Sequence, residues 1–504
     1  MKKVYITTPI YYPNSTLHIG HAYSTVIADS YKRFRINIGD DVYFLTGSDE
    51  HGQKIEKQAQ LLNLTPQQLV DKNVENFKIL WKKLNINYDQ FIRTTSQRHK
   101  DIVVKVYELL KSKELIYKDF YRGNYCIPCE TYYQKKELIN EKFCPICGKE
   151  TQLLELESFF FKMSSFEDWI TNVIKNNEII ILPENRKSEL LNNFLGGQFT
   201  DLSITRNNYT WGINVESNHV LYVWIDALFN YISALGFLTN DDALYKKYWD
   251  NDDVERIHII GKEITRFHCI YWPILLHSLE LKLPSKIIAH GWITVNNEKM
   301  SKSLGNVVNP LELIDKYGAD SLRYFLMKSN KIGNDFSFDI ENFIFVINSD
   351  LANNVGNLVS RTFNMIQKYN SGIVPKFKNK EKLNDDIEFK INEAFNEFKN
   401  FNSNKAINIV QEICEFLNKL IENEKPWELF TRSDLEKLNW ILTTLVVSIN
   451  WIFYFLSAIL TDGYLEYNKY IGWKNESLSN LINWNSLDEK EVKKPNPIFR
   501  RFEK

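Results

Sequence analysis

Hydrophobic positions along the first part of the chain follow two alternating periods. Val4-Tyr5-Ile6-Thr7-Thr8 is a run of β-formers that stops at Pro9, and turn residues fill Pro13-Asn14-Ser15. The stripe Ile19, Tyr23, Val26, Ser30 and Phe34 then predicts a helix that ends at Gly39. Residues 42–46 predict a second strand, and Thr65-Pro66-Gln67-Gln68 opens a further helix with a capping-box pattern, its apolar side carrying Val70, Val74, Phe77, Trp81 and Leu84. Strand, helix, strand, helix predicts a parallel sheet covered by helices. The same texture returns at 257–261 and 287–291, so the stretch from about 116 to 205, which differs in character, reads as an insertion splitting one sheet. From about 345 onward long helical patterns take over, such as the stripe Ile407, Val410, Cys414, Leu417 and Ile421, and predict an all-helical domain.

Length changes this picture little: 504 residues suit two to four domains, and 44% hydrophobic content suits packed interiors. Residues 440–460 carry no charge and could span a bilayer by length, but Thr443, Thr444, Ser448, Asn450 and Ser457 favour a buried bundle helix. With no leader pattern after Met1-Lys2-Lys3, the expectation is a cytoplasmic protein that engages no membrane. A formal net charge of −1 gives no global attraction to nucleic acid, so any RNA contact must come from local patches. The polar segment after about 466 reads as a partly ordered tail.

Four of the six cysteines cluster. Cys126 and Cys129, then Cys144 and Cys147, form two C-x2-C pairs at the spacing of a four-thiolate zinc knuckle. Four thiolates leave no open position, so the ion is expected to be structural; an iron–sulfur centre is the alternative. Cys269 and Cys414 sit in apolar surroundings and read as packing.

Three further motifs carry chemistry. His18 and His21 fall one turn apart at a helix start, with Gly20 between them allowing close approach, an arrangement suited to phosphate. Lys299-Met300-Ser301-Lys302-Ser303 supplies two cations and two hydroxyls that could clamp a polyphosphate as charge moves between its groups. Gly47-Ser48-Asp49-Glu50-His51-Gly52 follows a strand, where ligands of open parallel sheets collect. Asp49 could hold a cation there, or simply cap a helix.

Leu17-His18-Ile19-Gly20-His21 and Lys299-Met300-Ser301-Lys302-Ser303 resemble the two signature motifs of class I aminoacyl-tRNA synthetases, in their usual order. Residues 8–14, 47–52, 222–228 and 261–264 resemble the methionyl branch of that class, over a span from residue 3 to about 465. The resemblance implies an α/β fold: a split Rossmann-type parallel sheet with a zinc-knuckle insertion, followed by an all-α helical bundle domain. Its parts would be a catalytic domain at 1–115 and 206–330, the insertion at 116–205, a linker and anticodon-binding domain at 331–465, and a tail at 466–504.

It also implies a methionine–tRNA ligase that uses ATP, with Mg2+, to form an adenylate from L-methionine, then transfers the methionyl group to tRNA(Met). Ile10, Tyr12, Trp224, Tyr231, Ile264 and His268 would line the methionine side-chain pocket, and Asp49 would hold the amino group. His18, Gly20, His21, Lys299, Ser301, Lys302 and Ser303 would bind ATP, with the two histidines and two lysines catalytic. Arg206 resembles a further carboxylate or phosphate contact. Asn357, Arg361 and Trp427 match positions that read the anticodon. Glu263 departs from the aspartate common in the family. Too little chain follows the bundle for the extra dimerisation module of some relatives, so a monomer is expected. Two rivals are a cysteinyl or leucyl enzyme of the same class, and a catalytically silent tRNA-binding relative.

Overall fold

The computed structural model describes residues 1–129, 131–133, 135–196, 199–295, 298–300, 306–472 and 484–503. Six strands form the central sheet: β1 (Lys3–Tyr11), β2 (Asp41–Ser48), β3 (Gln90–Arg93), β4 (Ile180–Leu182), β5 (Val254–Gly261) and β6 (Lys286–His290). Their order is β3-β2-β1-β5-β6-β4, and every neighbouring pair is parallel. β1, central in the sheet, is buried on both faces, which is why Val4 to Thr8 reads as a continuous run of β-formers rather than an alternation. Helix α1 (Ile19–Asn37) covers one face with Ile19, Tyr23, Val26 and Phe34 buried, and Gly39 takes the positive φ that ends it.

The insertion divides between two structures. Strands Ile116–Cys126 and Gln152–Phe161 form a long antiparallel pair, flanked by Thr131–Tyr133 and Leu202–Ser203, that carries the cysteines. Residues 163–193 instead supply two helices and β4, which extends the parallel sheet at its edge. The expected boundary at 205 falls within the strand Thr205–Arg206. Residues 180–182 are too short a strand for periodicity to reveal.

Beyond the short strand Phe336–Ser337 the described residues up to Ile471 are mainly helical. One rod runs through Ile340–Val346, a π-helical stretch Ile347–Gly356 and Asn357–Tyr369, and packs with Ser403–Glu424 and Leu435–Leu456, which also pack with Lys382–Lys399. The uncharged segment lies mostly in Leu435–Leu456, whose most apolar window is 89% buried, so it is a bundle core helix. Cys269 and Cys414 are both buried. The boundary expected at 465 falls inside the helix Thr461–Ile471. The C-terminal segment is also better anchored than its polarity suggested. Trp484, Leu487 and Val492 are buried, Val492 donates its N–H to Gly372, and the Asn348 side chain pairs with both backbone groups of Phe502.

One buried guanidinium ties the two halves together. Arg323 donates to Ile459 O (2.7 Å), Ala458 O (3.2 Å), Leu84 O (3.1 Å) and Ser30 Oγ (3.3 Å), and it pairs with Asp29 at 2.7 Å with both side chains fully buried. Burial alone would push the Asp29 carboxyl up, but Arg323 and Arg33 outweigh it and hold it below the usual range. Arg323→Met removes one of the two guanidinium groups paired with Asp29, the fully buried one, and is expected to cost about 3–5 kcal/mol. The pair contributes above the unfolded pKa of Asp29 and is lost as pH falls through the depressed folded value. The melting-temperature gap between wild type and variant should therefore be full at neutral pH and shrink in acid; a gap near zero at neutral pH contradicts this.

Candidate active site

The cleft begins where β1 leaves β5. The two pair only as far as Thr7 with His258, after which β1 shifts register and continues along β2, Ile10 beside Gly47 and Tyr11 beside Ser48. Strand β5 instead continues along β6, up to Gly261 beside His290. Pro9, at the shift, has no N–H to give a ladder. A cleft of about 380 Å3 opens between the diverging strand ends, the place where open parallel sheets bind ligands. Ile10, Tyr12, His18, Gly20, His21, Asp49, Trp224, Tyr231, Ile264 and His268 all line it.

At one end, the start of α1 turns both histidines toward the cleft with defined tautomers. His18 is the N-cap: its Nδ1 accepts from the Gly20 N–H at 3.0 Å, while His21 Nδ1 accepts from the His18 N–H at 3.1 Å. A backbone donor requires an acceptor, so each neutral ring carries its proton on Nε2. The rings lie 3.9 Å apart, and two N–H donors join the positive end of a helix dipole. A Cβ on Gly20 would come within 2.8 Å of His18 Cε1, which is why this position has no side chain.

Asp49 is presented by a loop whose other residues are turned away. Glu50 is fully buried, accepting from Arg93 Nε (2.6 Å) and Nη2 (3.0 Å) and from Ser48 Oγ (2.5 Å). His51 faces Asp226 instead, and the Asp49 N–H donates to Tyr11 O at 3.0 Å. The following helix, Gln53–Leu61, is capped by Gly52 at φ +113, so Asp49 is not a helix cap.

The opposite end is aromatic. Trp224 stacks on Phe267 at 3.7 Å with planes 5° apart. Tyr231 is buried, its hydroxyl 2.7 Å from His268 Nε2, and His268 Nδ1 lies 3.0 Å from Ile264 O. The carbonyl can only accept, so His268 donates from Nδ1 and accepts the Tyr231 O–H hydrogen bond at Nε2. Burial lowers the His268 pKa to about 4, and the ring is neutral at working pH.

Several lining residues escaped the sequence reading. Trp292 donates Nε1–H to Glu263 Oε2 at 2.7 Å and lies beneath the Lys262 ammonium at 4.1 Å. Glu263 thus bends back toward the backbone at Gly261, and its extra length is absorbed there. Trp292 follows β6 by two residues, and its position past a parallel strand end was the available signal. Arg206 does not line this cleft: it lies over Tyr222 at 4.1 Å in a second cavity of about 300 Å3, with Arg266. The Lys299 side chain, Ser301, Lys302 and Ser303 lie outside the described residues, but Met300, on the same segment, lines the cleft.

Asn357 and Arg361 share one helix in the bundle, with Arg361 3.4 Å from Asn418 and from Glu422; Trp427, after Pro426, is 44% exposed. None of the three lines the cleft. The sulfurs of Cys126, Cys129, Cys144 and Cys147 lie within 4.8 Å of one another, two pairs at 3.4 and 3.7 Å. Tetrahedral Zn–S bonds of about 2.3 Å separate sulfurs by roughly 3.8 Å, so this cluster has the dimensions to hold one such ion. Pro128 and Cys129 also line the cleft, so the knuckle loop forms part of its wall.

The model of the family described as tRNA synthetases class I (M) matches residues 4–153 and 133–363. The chain belongs to that family. It is 42% identical over 514 residues to the methionine–tRNA ligase of Ureaplasma parvum, covering 99% of this chain and 98% of that protein. It is 45% identical over 475 residues to that of Mycoplasma genitalium, covering 92% and 91%. The structure superposes on Mycobacterium tuberculosis methionyl-tRNA synthetase in complex with methionyl-adenylate with a TM-score of 0.94, at 31% identity over 99% of this chain and 100% of that one. Against the apo form of that enzyme the TM-score is 0.87, at 28% identity over 100% and 99%. The activity of this chain is that of a methionine–tRNA ligase.

Gly20→Ala pushes the His18 ring off its cap and should lower kcat of methionine-dependent pyrophosphate exchange by about 10-fold or more while sparing the methionine KM. A change confined to the methionine KM contradicts a phosphate contact at this helix start.

Proposed function

We propose that the cleft at the strand ends performs methionine activation, with the roles divided along its length. The thioether packs against Ile10, Tyr12, Trp224, Tyr231, Ile264 and His268, because sulfur packs well against ring edges and aliphatic surface. Asp49 holds the ammonium group. The methionine carboxylate then attacks the α-phosphate of ATP and pyrophosphate leaves; His18 and His21 donate Nε2–H to the phosphates, and Lys299 and Lys302 stabilise the charge moving onto pyrophosphate. Gly20, Ser301 and Ser303 complete the phosphate contacts. Mg2+ supplies further charge neutralisation when it accompanies ATP. The protein's part is positioning and electrostatic stabilisation, with little covalent work. The adenylate passes its acyl group to the 3′-terminal adenosine of tRNA(Met).

The observation that carries this reading is the convergence on one cleft of ten expected residues from separate stretches of sequence. Around it we assign a split catalytic domain at 1–115 and 206–330, to which the knuckle insertion at 116–205 lends the edge strand Ile180–Leu182, and a helical anticodon-binding domain at 331–465, braced by Trp484, Leu487 and Val492. Asn357, Arg361 and Trp427 read unpaired anticodon bases by edge hydrogen bonds and stacking. The cysteine cluster binds one structural Zn2+, and the protein works in the cytoplasm as a monomer. The test is exchange of labelled pyrophosphate into ATP with methionine, leucine, cysteine or no amino acid. Methionine alone should support exchange, and Lys302→Ala should lower kcat far more than it raises the methionine KM. Exchange with leucine or cysteine instead, or a pure KM effect at Lys302, overturns these assignments.

A further inference from the structure

Beneath the Asp49 end of the cleft runs a buried chain of titratable side chains that none of these roles uses. Asp226 is 1% exposed, with His51 Nδ1 2.6 Å from its Oδ2 and His99 Nε2 2.7 Å from its Oδ1. His99 Nδ1 is in turn 2.7 Å from Ser233 Oγ. A carboxylate accepts only, so both imidazoles donate to Asp226. Burial would push the Asp226 pKa up, but His51 and His99 outweigh it and bring it down to about 2, so the carboxylate stays ionised.

This chain joins two walls of the cleft. His51 follows Asp49 by two residues in the loop after β2, and Asp226 follows Trp224 by two in the helix Val223–Leu228. On the other side the loop is fixed by Arg93 on Glu50, and its backbone by Tyr11 and by Trp211, which donates to Glu50 O at 2.6 Å. Neither His51 nor Asp226 lines the cleft. We propose that Asp226, through His51, is a positioning residue that holds Asp49 in the geometry needed to receive the substrate's ammonium group. Charge-assisted hydrogen bonds in a dry interior keep their length and direction, and a charged contact misplaced by about 1 Å can cost up to about 100-fold. The inference rests on the reading of Asp49 as the amino-group contact.

The test compares L-methionine with 4-(methylthio)butanoate, the same thioether acid without the amino group, by competition binding to full-length protein. Asp226→Asn and His51→Gln should weaken methionine by about 10-fold or more and the deamino acid by less than about twofold. Equal weakening of both ligands, or of neither, overturns the inference. Asp49→Asn is run alongside. If it shows no selectivity for methionine, the reading of Asp49 fails and takes the inference with it. If it is selective while the other two variants are not, the positioning role alone fails. Should Asp226→Asn not fold, His51→Gln carries the comparison.

Discussion

The architecture of the site depends on a single parting of strands. β1 and β5 are the two central strands, and as long as they pair there is no room for a ligand; past Thr7 and His258 β1 moves with β2 while β5 moves with β6. Much of the cleft lining hangs from the strand ends thus separated, while Trp224 and Tyr231 come from the short helices Val223–Leu228 and Asn230–Ser233. Ile10 and Tyr12 come from β1 and its exit, Asp49 from the exit of β2, Glu263 and Ile264 from that of β5, and Trp292 from that of β6. The histidine end follows from the same geometry, since the turn after β1 delivers α1 with its N-terminus at the cleft, where an anion is favoured.

Around that parting several buried charges meet a partner that fixes them. Arg323 with Asp29 joins the helical domain to the sheet, Arg93 with Glu50 and His51 with Asp226 fix the loop of Asp49, and each is enclosed by further hydrogen bonds. Such pairs add little net stability compared with apolar packing, but they select one arrangement, because the alternatives leave a charge buried alone. A site that works by positioning needs that selectivity more than it needs stability.

Much of this was legible in the sequence. β1, α1 and the capping-box helix at Pro66–Lys83 announced themselves through periodicity and caps, and the cysteine spacing gave the knuckle. The polar residues of the uncharged stretch mark it as a core helix rather than a membrane span; Thr443 bonds Pro375 O and Thr444 bonds Asn384. What escaped was set by tertiary pairing. The short edge strand Ile180–Leu182 has no period of its own, Arg206 is drawn into a separate cavity by Tyr222 and the backbone at Ser203 and Thr205, and the anchors of the C-terminal segment are spaced too widely to form a stripe. The His51–Asp226–His99 chain joins residues up to 175 positions apart, which no local pattern reveals.

The most direct measurement is a crystal structure of the protein with a non-reactive analogue of methionyl-adenylate. The account predicts the thioether between Trp224, Tyr231 and His268, the ammonium group on Asp49 and the phosphate at the start of α1 beside His18 and His21. Binding of the analogue in the Arg206 cavity, or in the cleft with its ends reversed, would contradict it.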